Sequence, residues 1–161
     1  MIALGLGGNL GPVRDTLAGA VGRLRALLGP LTVASLYRTA PVGPPQPPYL
    51  NTAAVGTTRR SPREILALTQ ELERAAGRRA GGERWGAREL DVDLLVYGSR
   101  VQDDPLLTLP HPRLRERAFV LVPLAEIAPD LPIPPDGATA RQLLAALGPA
   151  ARHGVERLGS W

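Results

Sequence analysis

The 161 residues contain no cysteine and no lysine. Without cysteine there are no disulfides, no thiolate metal sites and no cysteine nucleophile, and a reducing compartment suits the chain. Without lysine there is no Schiff base and no amine nucleophile. Aromatic residues are few, with two Trp, three Tyr and one Phe. That poverty argues against a sheet that stacks bases, although a basic nucleic-acid-binding domain stays open as an alternative. No apolar run is long enough to span a bilayer, and "MIALGLGGNL" lacks the basic start and cleavage pattern of a secretory signal. A soluble cytoplasmic protein is expected, with no membrane partner. Any metal must sit on oxygen ligands or on the two histidines.

What is present is arginine. All nineteen basic residues are arginine, against fifteen acidic ones, giving a net charge of +4. A basic excess favours anionic partners, and the guanidinium fork suits phosphate because it donates two parallel hydrogen bonds. The length is that of one ordinary domain, 1–161, with enough chain to bury a core unaided.

Apolar periodicity lays out the elements. "IALGLG" (2–7) reads as a buried strand closed by Gly8 and Asn9. A helix follows Gly11 and Pro12, with Val13, Leu17, Val21, Leu24 and Leu28 at helical spacing and Gly29-Pro30 as its stop. "LTVASLYRT" (31–39) and "YLNTAAVGTT" (49–58) read as strands, separated by the proline-rich loop "APVGPPQPP". Ser61, Pro62 and Glu64 form a capping-box start to a second helix striped by Ile65, Leu68 and Leu72. "RRAGGERWGAR" is glycine-rich and basic, and "ELDVDLLVYG" is a strand. Short elements, a helix near 141–147 and the tail "VERLGSW" complete the chain. The order βα, ββ, α, β predicts an α+β fold, a ferredoxin-like antiparallel sheet with helices packed on one face and C-terminal additions.

One strand carries an anomaly. In "ELDVDLLVYG" the alternation of side chains places Asp91 and Asp93 on one face and Val92 and Leu94 on the other. Like charges so close repel unless a cation lies between them, and Mg²⁺ takes one or two carboxylates while filling its other positions with water and phosphate oxygens. A D-x-D pair also serves polar strand faces, and by itself it does not separate a transferase from a metal-dependent phosphohydrolase. The surroundings add weight: Arg78, Arg79, Arg84, Trp85 and Arg88 precede the pair, and His111, Arg113, Arg115 and Arg117 follow it. Together they suggest a polyphosphate held between guanidinium groups and metal-bound carboxylates.

"ERWGARELDVDLLVYG" followed by "LTLPHPRLRERAFVLVPLAEIAP", with "ALGLGGNLG", "YRTAPVGPPQPPYLN" and "LTQELERAAGR" upstream, resembles the 6-hydroxymethyl-7,8-dihydropterin pyrophosphokinase family over about residues 2–130. The resemblance implies transfer of the β,γ-diphosphate of ATP to the hydroxymethyl group of the reduced pterin, releasing AMP. It implies two Mg²⁺ ions on Asp91 and Asp93, with Arg78 and Arg88 as catalytic residues. It puts Gln70, Glu73, Arg78, Trp85, Arg88, Leu94, His111 and Arg117 on the ATP side, and Thr39, Ala40, Val42, Tyr49, Asn51 and Phe119 around the pterin. The partners it implies are these small molecules, without nucleic acid, bound by a monomer. The glycine-rich 77–86 and proline-rich 40–48 segments are then expected to close over the substrates. Ala80, Ala87 and Gly8 depart from the residues common in the family at their positions.

Overall fold

The computed structural model describes residues 1–41, 44–77 and 87–161. Six antiparallel strands form one sheet. β1 (Ile2–Gly8) lies between β4 (Tyr49–Gly56) and β5 (Asp91–Tyr97). β2 (Leu31–Val33) and β3 (Leu36–Thr39) both pair with β4, and β10 (Val155–Gly159) pairs with β3 as the outermost strand. With α1 (Val13–Leu28) after β1 and α2 (Pro62–Ala75) after β4, the first five strands and these two helices trace the expected ferredoxin-like order. Two small hairpins, β6 (Gln102–Asp104) with β7 (Leu107–Leu109) and β8 (Pro132–Ile133) with β9 (Ala138–Thr139), stand apart from the main sheet.

The span expected as one strand, 31–39, is broken in two. Ala34 still donates its N–H to Ala53 O, but the N–H of Ser35 leaves the sheet and donates to the carboxylate of Glu126. The capping box at α2 forms as expected: Glu64 N–H donates to Ser61 Oγ at 3.2 Å, and Ser61 N–H donates to Glu64 Oε1 at 3.2 Å. Thr139 and Gln142 repeat the device at the start of α4 (Ala140–Leu147).

Helices cover both faces, not one. Leu17, Val21 and Leu24 of α1, with Ile65 and Leu72 of α2, pack on Leu4, Leu6, Val92 and Leu94. On the other face, Leu121 and Leu124 of α3 (Ala118–Ile127) and Leu143 and Leu144 of α4 pack on Ala3, Ala53, Val55 and Leu95. The core helices therefore follow the expected one-sided arrangement, and the C-terminal additions supply the second layer. α3 was not foreseen as a helix, because its sequence is apolar almost all round and contains Pro123. The second layer covers the sheet around Ala3 and Val55, and the residues discussed next lie further along that same face.

Candidate active site

Strand register assembles the site. Asp91 pairs with Gly7, Gly7 pairs with Asn51, and Asn51 pairs with Tyr37, a row across four strands. Asp93 pairs with Gly5, and Gly5 with Ala53. Paired residues share a face, so the carboxylates, Asn51 and Tyr37 all project to the α3 side. Neither glycine puts a side chain between the aspartates and Asn51. A Cβ at Gly7 would collide with Asn51 Oδ1, so the asparagine side chain occupies the space a side chain there would need.

Asn51 is buried, and its Nδ2 donates to Thr39 Oγ1 at 2.6 Å. Tyr49 lies on the same strand face, where burial raises its phenol pKa first, the charge of Asp91 adds to that, and Arg88 works against it. Tyr49, Asp91 and Arg88 are thus neighbours. Ala40 is exposed at the end of β3, and its N–H donates to Gly154 O at 3.1 Å.

From the other side come His111 and α3. Burial lowers the pKa of His111, with Arg117 and Arg113 assisting and Asp93 opposing, so the ring is neutral at pH 7. Its Nδ1 accepts from Arg113 N–H at 3.2 Å, which leaves the proton on Nε2. Arg117 caps α3 and places its guanidinium carbon 5.4 Å from the centroid of the Phe119 ring. Burial lowers the pKa of Arg117, while the charges of Asp93 and Asp91 act to raise it. Arg117 therefore stands between the aromatic ring and the carboxylate pair.

Beneath the site, Glu73 is buried, and Val92 N–H donates to its Oε2 at 3.0 Å. Gln70, one turn earlier on α2, is exposed. The side chain of Leu94 lies in the core between the sheet and the first two helices, on the face opposite Asp91 and Asp93, so only its backbone borders the site. Arg115, expected among the phosphate-facing arginines, turns away: it donates to Asp136 Oδ1 at 2.5 Å and to the carbonyls of Ile133 and Pro134. Val42, Arg78, Arg79, Arg84 and Trp85 lie outside the described residues.

One contributor was missed. Asn9, buried at 6% exposure, donates from Nδ2 to Gln46 Oε1 and to Pro47 O, both at 2.9 Å, and its Oδ1 accepts from Arg88 N–H at 2.8 Å. Its own N–H donates to Arg88 O at 2.8 Å. One side chain thereby joins the proline-rich loop to the residue that opens the approach to Asp91. The signal was a lone asparagine directly after a strand, which also reads as an ordinary turn residue.

The donor set suits Mg²⁺. Two partly exposed carboxylates share one face of the sheet, and among the described residues no group of three or more His, Asp or Glu forms a complete cage. A cation held by two carboxylates keeps positions for water and phosphate oxygens, which is the way Mg²⁺ binds.

An α+β sheet that presents a carboxylate pair near Arg88 and Arg117 suits an enzyme that handles phosphate groups. The family model described as 7,8-dihydro-6-hydroxymethylpterin-pyrophosphokinase (HPPK) matches residues 3–129, and the chain belongs to that family. It is 46% identical over 158 residues to the 2-amino-4-hydroxy-6-hydroxymethyldihydropteridine pyrophosphokinase of Methylorubrum extorquens, covering 96% of each chain. It is also 46% identical over 144 residues to the protein of the same name from Synechocystis sp., covering 88% of this chain and 73% of that one. Among solved structures, a Plasmodium falciparum HPPK-DHPS with pteroate superposes with a TM-score of 0.70 at 12% identity, which shows the shared fold. That match covers 97% of this chain and 47% of the other, so the chain spans about half of it.

Proposed function

We propose that this chain transfers the β,γ-diphosphate of ATP to the hydroxymethyl oxygen of 6-hydroxymethyl-7,8-dihydropterin, releasing AMP, as a step of folate biosynthesis. The observation that carries this reading is the row Asp91, Gly7, Asn51: a carboxylate pair suited to phosphate-bound cations, one strand away, across Gly7, from an amide suited to a heterocycle. In the reaction the bond between the β-phosphorus and the α,β-bridging oxygen breaks, a bond from that phosphorus to the pterin oxygen forms, and the hydroxyl proton is lost.

Asp91 and Asp93 would hold Mg²⁺, and we propose two ions. Bound there, Mg²⁺ neutralises phosphate oxygens and makes a hydroxyl easier to deprotonate. Arg88 and Arg117 lie near the carboxylates, and we assign them to take phosphate charge as it shifts to the leaving group. His111, neutral with a proton on Nε2, serves as a hydrogen-bond donor to a phosphate oxygen. Asn51 has both a carbonyl and an amide to read the pterin edge, and Phe119 and Tyr49 supply aromatic faces for a flat ring. We assign Gln70, Glu73 and the backbone at Leu94 to the nucleotide side, and the family resemblance assigns Arg78 and Trp85 to it as well. We assign Thr39 and Ala40 to the pterin side, and the family resemblance assigns Val42 to it as well. Positioning and charge stabilisation suffice for this class of transfer, and no side chain is assigned as general base.

No helix among the described residues is long and apolar enough to cross a membrane. We propose a working monomer using soluble substrates in the cytoplasm. The test is to incubate the protein with ATP, Mg²⁺ and the reduced pterin and identify the nucleotide product, with Asp93→Ala alongside. AMP that forms only with pterin, and is lost in the variant, supports the assignment. ADP, or phosphate release without pterin, overturns it.

A further inference from the structure

At the far end of α3 from Arg117 and Phe119, Glu126 makes four hydrogen-bond contacts to one short stretch of chain. Ser35 N–H donates to both carboxylate oxygens, at 3.0 and 3.2 Å, Ser35 Oγ donates at 2.8 Å, and Tyr37 OH donates at 2.7 Å. Ser35 and Tyr37 are each 5% exposed, so the donors are fixed by their surroundings. Arg157, paired with Tyr37 across β10, adds a positive charge to the same group.

The location is unexpected on local grounds. A carboxylate in the last turn of a helix faces the negative end of the helix dipole, and α3 has no basic residue there to offset it. Nothing local favours Glu126 at this position. Its contacts explain it: Ser35 loses its sheet partner to this carboxylate, which is what divides β2 from β3.

We infer that Glu126 is a positioning residue for the pterin site, fixing α3, which presents Phe119 and Arg117, against β3, which presents Thr39. Both elements are short, α3 of ten residues and β3 of four. Nine residues separate Glu126 from Arg117, about 13 Å of helix, so a tilt at the clamp becomes a displacement at the aromatic ring. On the sheet side, Tyr37 is two residues from Thr39 and pairs with Asn51. One carboxylate therefore sets the distance between the two walls assigned to the pterin. The nucleotide shares this helix through Arg117, but its other assigned contacts are on α2 and on the strand of the aspartates, so it depends less on this spacing.

This inference rests on the pterin assignment made above, and the test separates the two. Binding of 6-hydroxymethyl-7,8-dihydropterin and of a non-hydrolysable ATP analogue with Mg²⁺ is measured by titration for Glu126→Gln, Tyr37→Phe and Phe119→Ala, at a temperature where circular dichroism shows each variant fully folded. Loss of charged hydrogen bonds at the clamp is expected to weaken pterin binding about ten-fold in Glu126→Gln. A smaller loss is expected in Tyr37→Phe, which keeps the Ser35 bonds, and in both variants nucleotide affinity falls less than pterin affinity, because among the contacts assigned to the nucleotide only Arg117 lies at α3. If Phe119→Ala weakens pterin binding while both clamp variants leave it unchanged, or if the clamp variants lose both ligands equally, the positioning role is wrong and the site assignment stands. If Phe119→Ala leaves pterin binding intact, the site assignment itself fails, and the role of Glu126 falls with it.

Discussion

The carboxylate of Glu73 on α2 accepts the backbone N–H of Val92, 3.0 Å away, between the two aspartates of β5. Val92 is buried beneath the helix, and Glu73 is the acceptor its N–H finds there. Removing the acceptor leaves a buried donor unpaired, a loss of about 1–3 kcal/mol. Glu73→Ala is expected to lower stability by that amount in urea titration and to reduce turnover, because the backbone carrying Asp91 and Asp93 loses its support. Glu73→Gln retains an acceptor and is expected to recover most of the stability. Equal stability in the alanine variant would contradict the bond's importance.

Asn9 bonds to two segments at once, so its loss should be felt in both. Asn9→Ala removes two donations to the proline-rich loop and one acceptance from Arg88. The expected outcome is faster proteolysis near residues 44–48 and a KM for the pterin raised about ten-fold or more. Asn9→Asp keeps the acceptor for Arg88 but loses both donations, and should fall between the alanine variant and the parent protein. Proteolysis unchanged in both variants would mean the loop is held by other contacts.

Gly7 has to be glycine for reasons of space. A Cβ there meets Asn51 Oδ1 and lies 3.2 Å from Leu50 O. Gly7→Ala forces Asn51 off its bond with Thr39, at a cost typical of overpacking, about 1–3 kcal/mol. Pterin affinity should drop while ATP affinity is retained, a contrast that calorimetric titration of each ligand resolves.

Acid stability should depend on Asp136. The bond from Arg115 and the N–H of Ala138 hold its carboxyl down to about 2 from 3.8. The folded value lies below the unfolded one, so the contribution is complete above about 3.8 and is lost as pH falls through about 2. Asp136→Asn is therefore expected to melt below the parent protein at pH 6, with the gap closing by pH 2. Burial pushes Glu126 up, but the bonds from Tyr37 and Ser35 and the charge of Arg157 outweigh it and hold the group below its usual value. It contributes in the same direction, losing its effect as pH falls. A gap that widens on acidification would reverse the sign assigned here.

Several features of this protein follow from the sequence by itself. Alternation along a strand decided that Asp91 and Asp93 share a face, because the two-residue period is a property of the extended backbone. Ser61 and Glu64 decided where α2 begins, because capping acts over three residues. The resemblance carried by "ERWGARELDVDLLVYG" and "LPHPR" pointed to the family, and the βαββαβ order pointed to the sheet. Only the tertiary structure decided that Gly7 stands between Asp91 and Asn51, that Asn9 ties a loop 38 residues away, that Arg115 belongs to Asp136 and that Glu126 reaches Ser35 across 91 residues. It also decided that the tail forms an edge strand beside β3 and that Trp161 donates to Ala34 O at 3.1 Å. The division is physical: caps and periodicities act between neighbours in the chain, whereas register and the pairing of a buried carboxylate depend on which distant segments the packed core brings together.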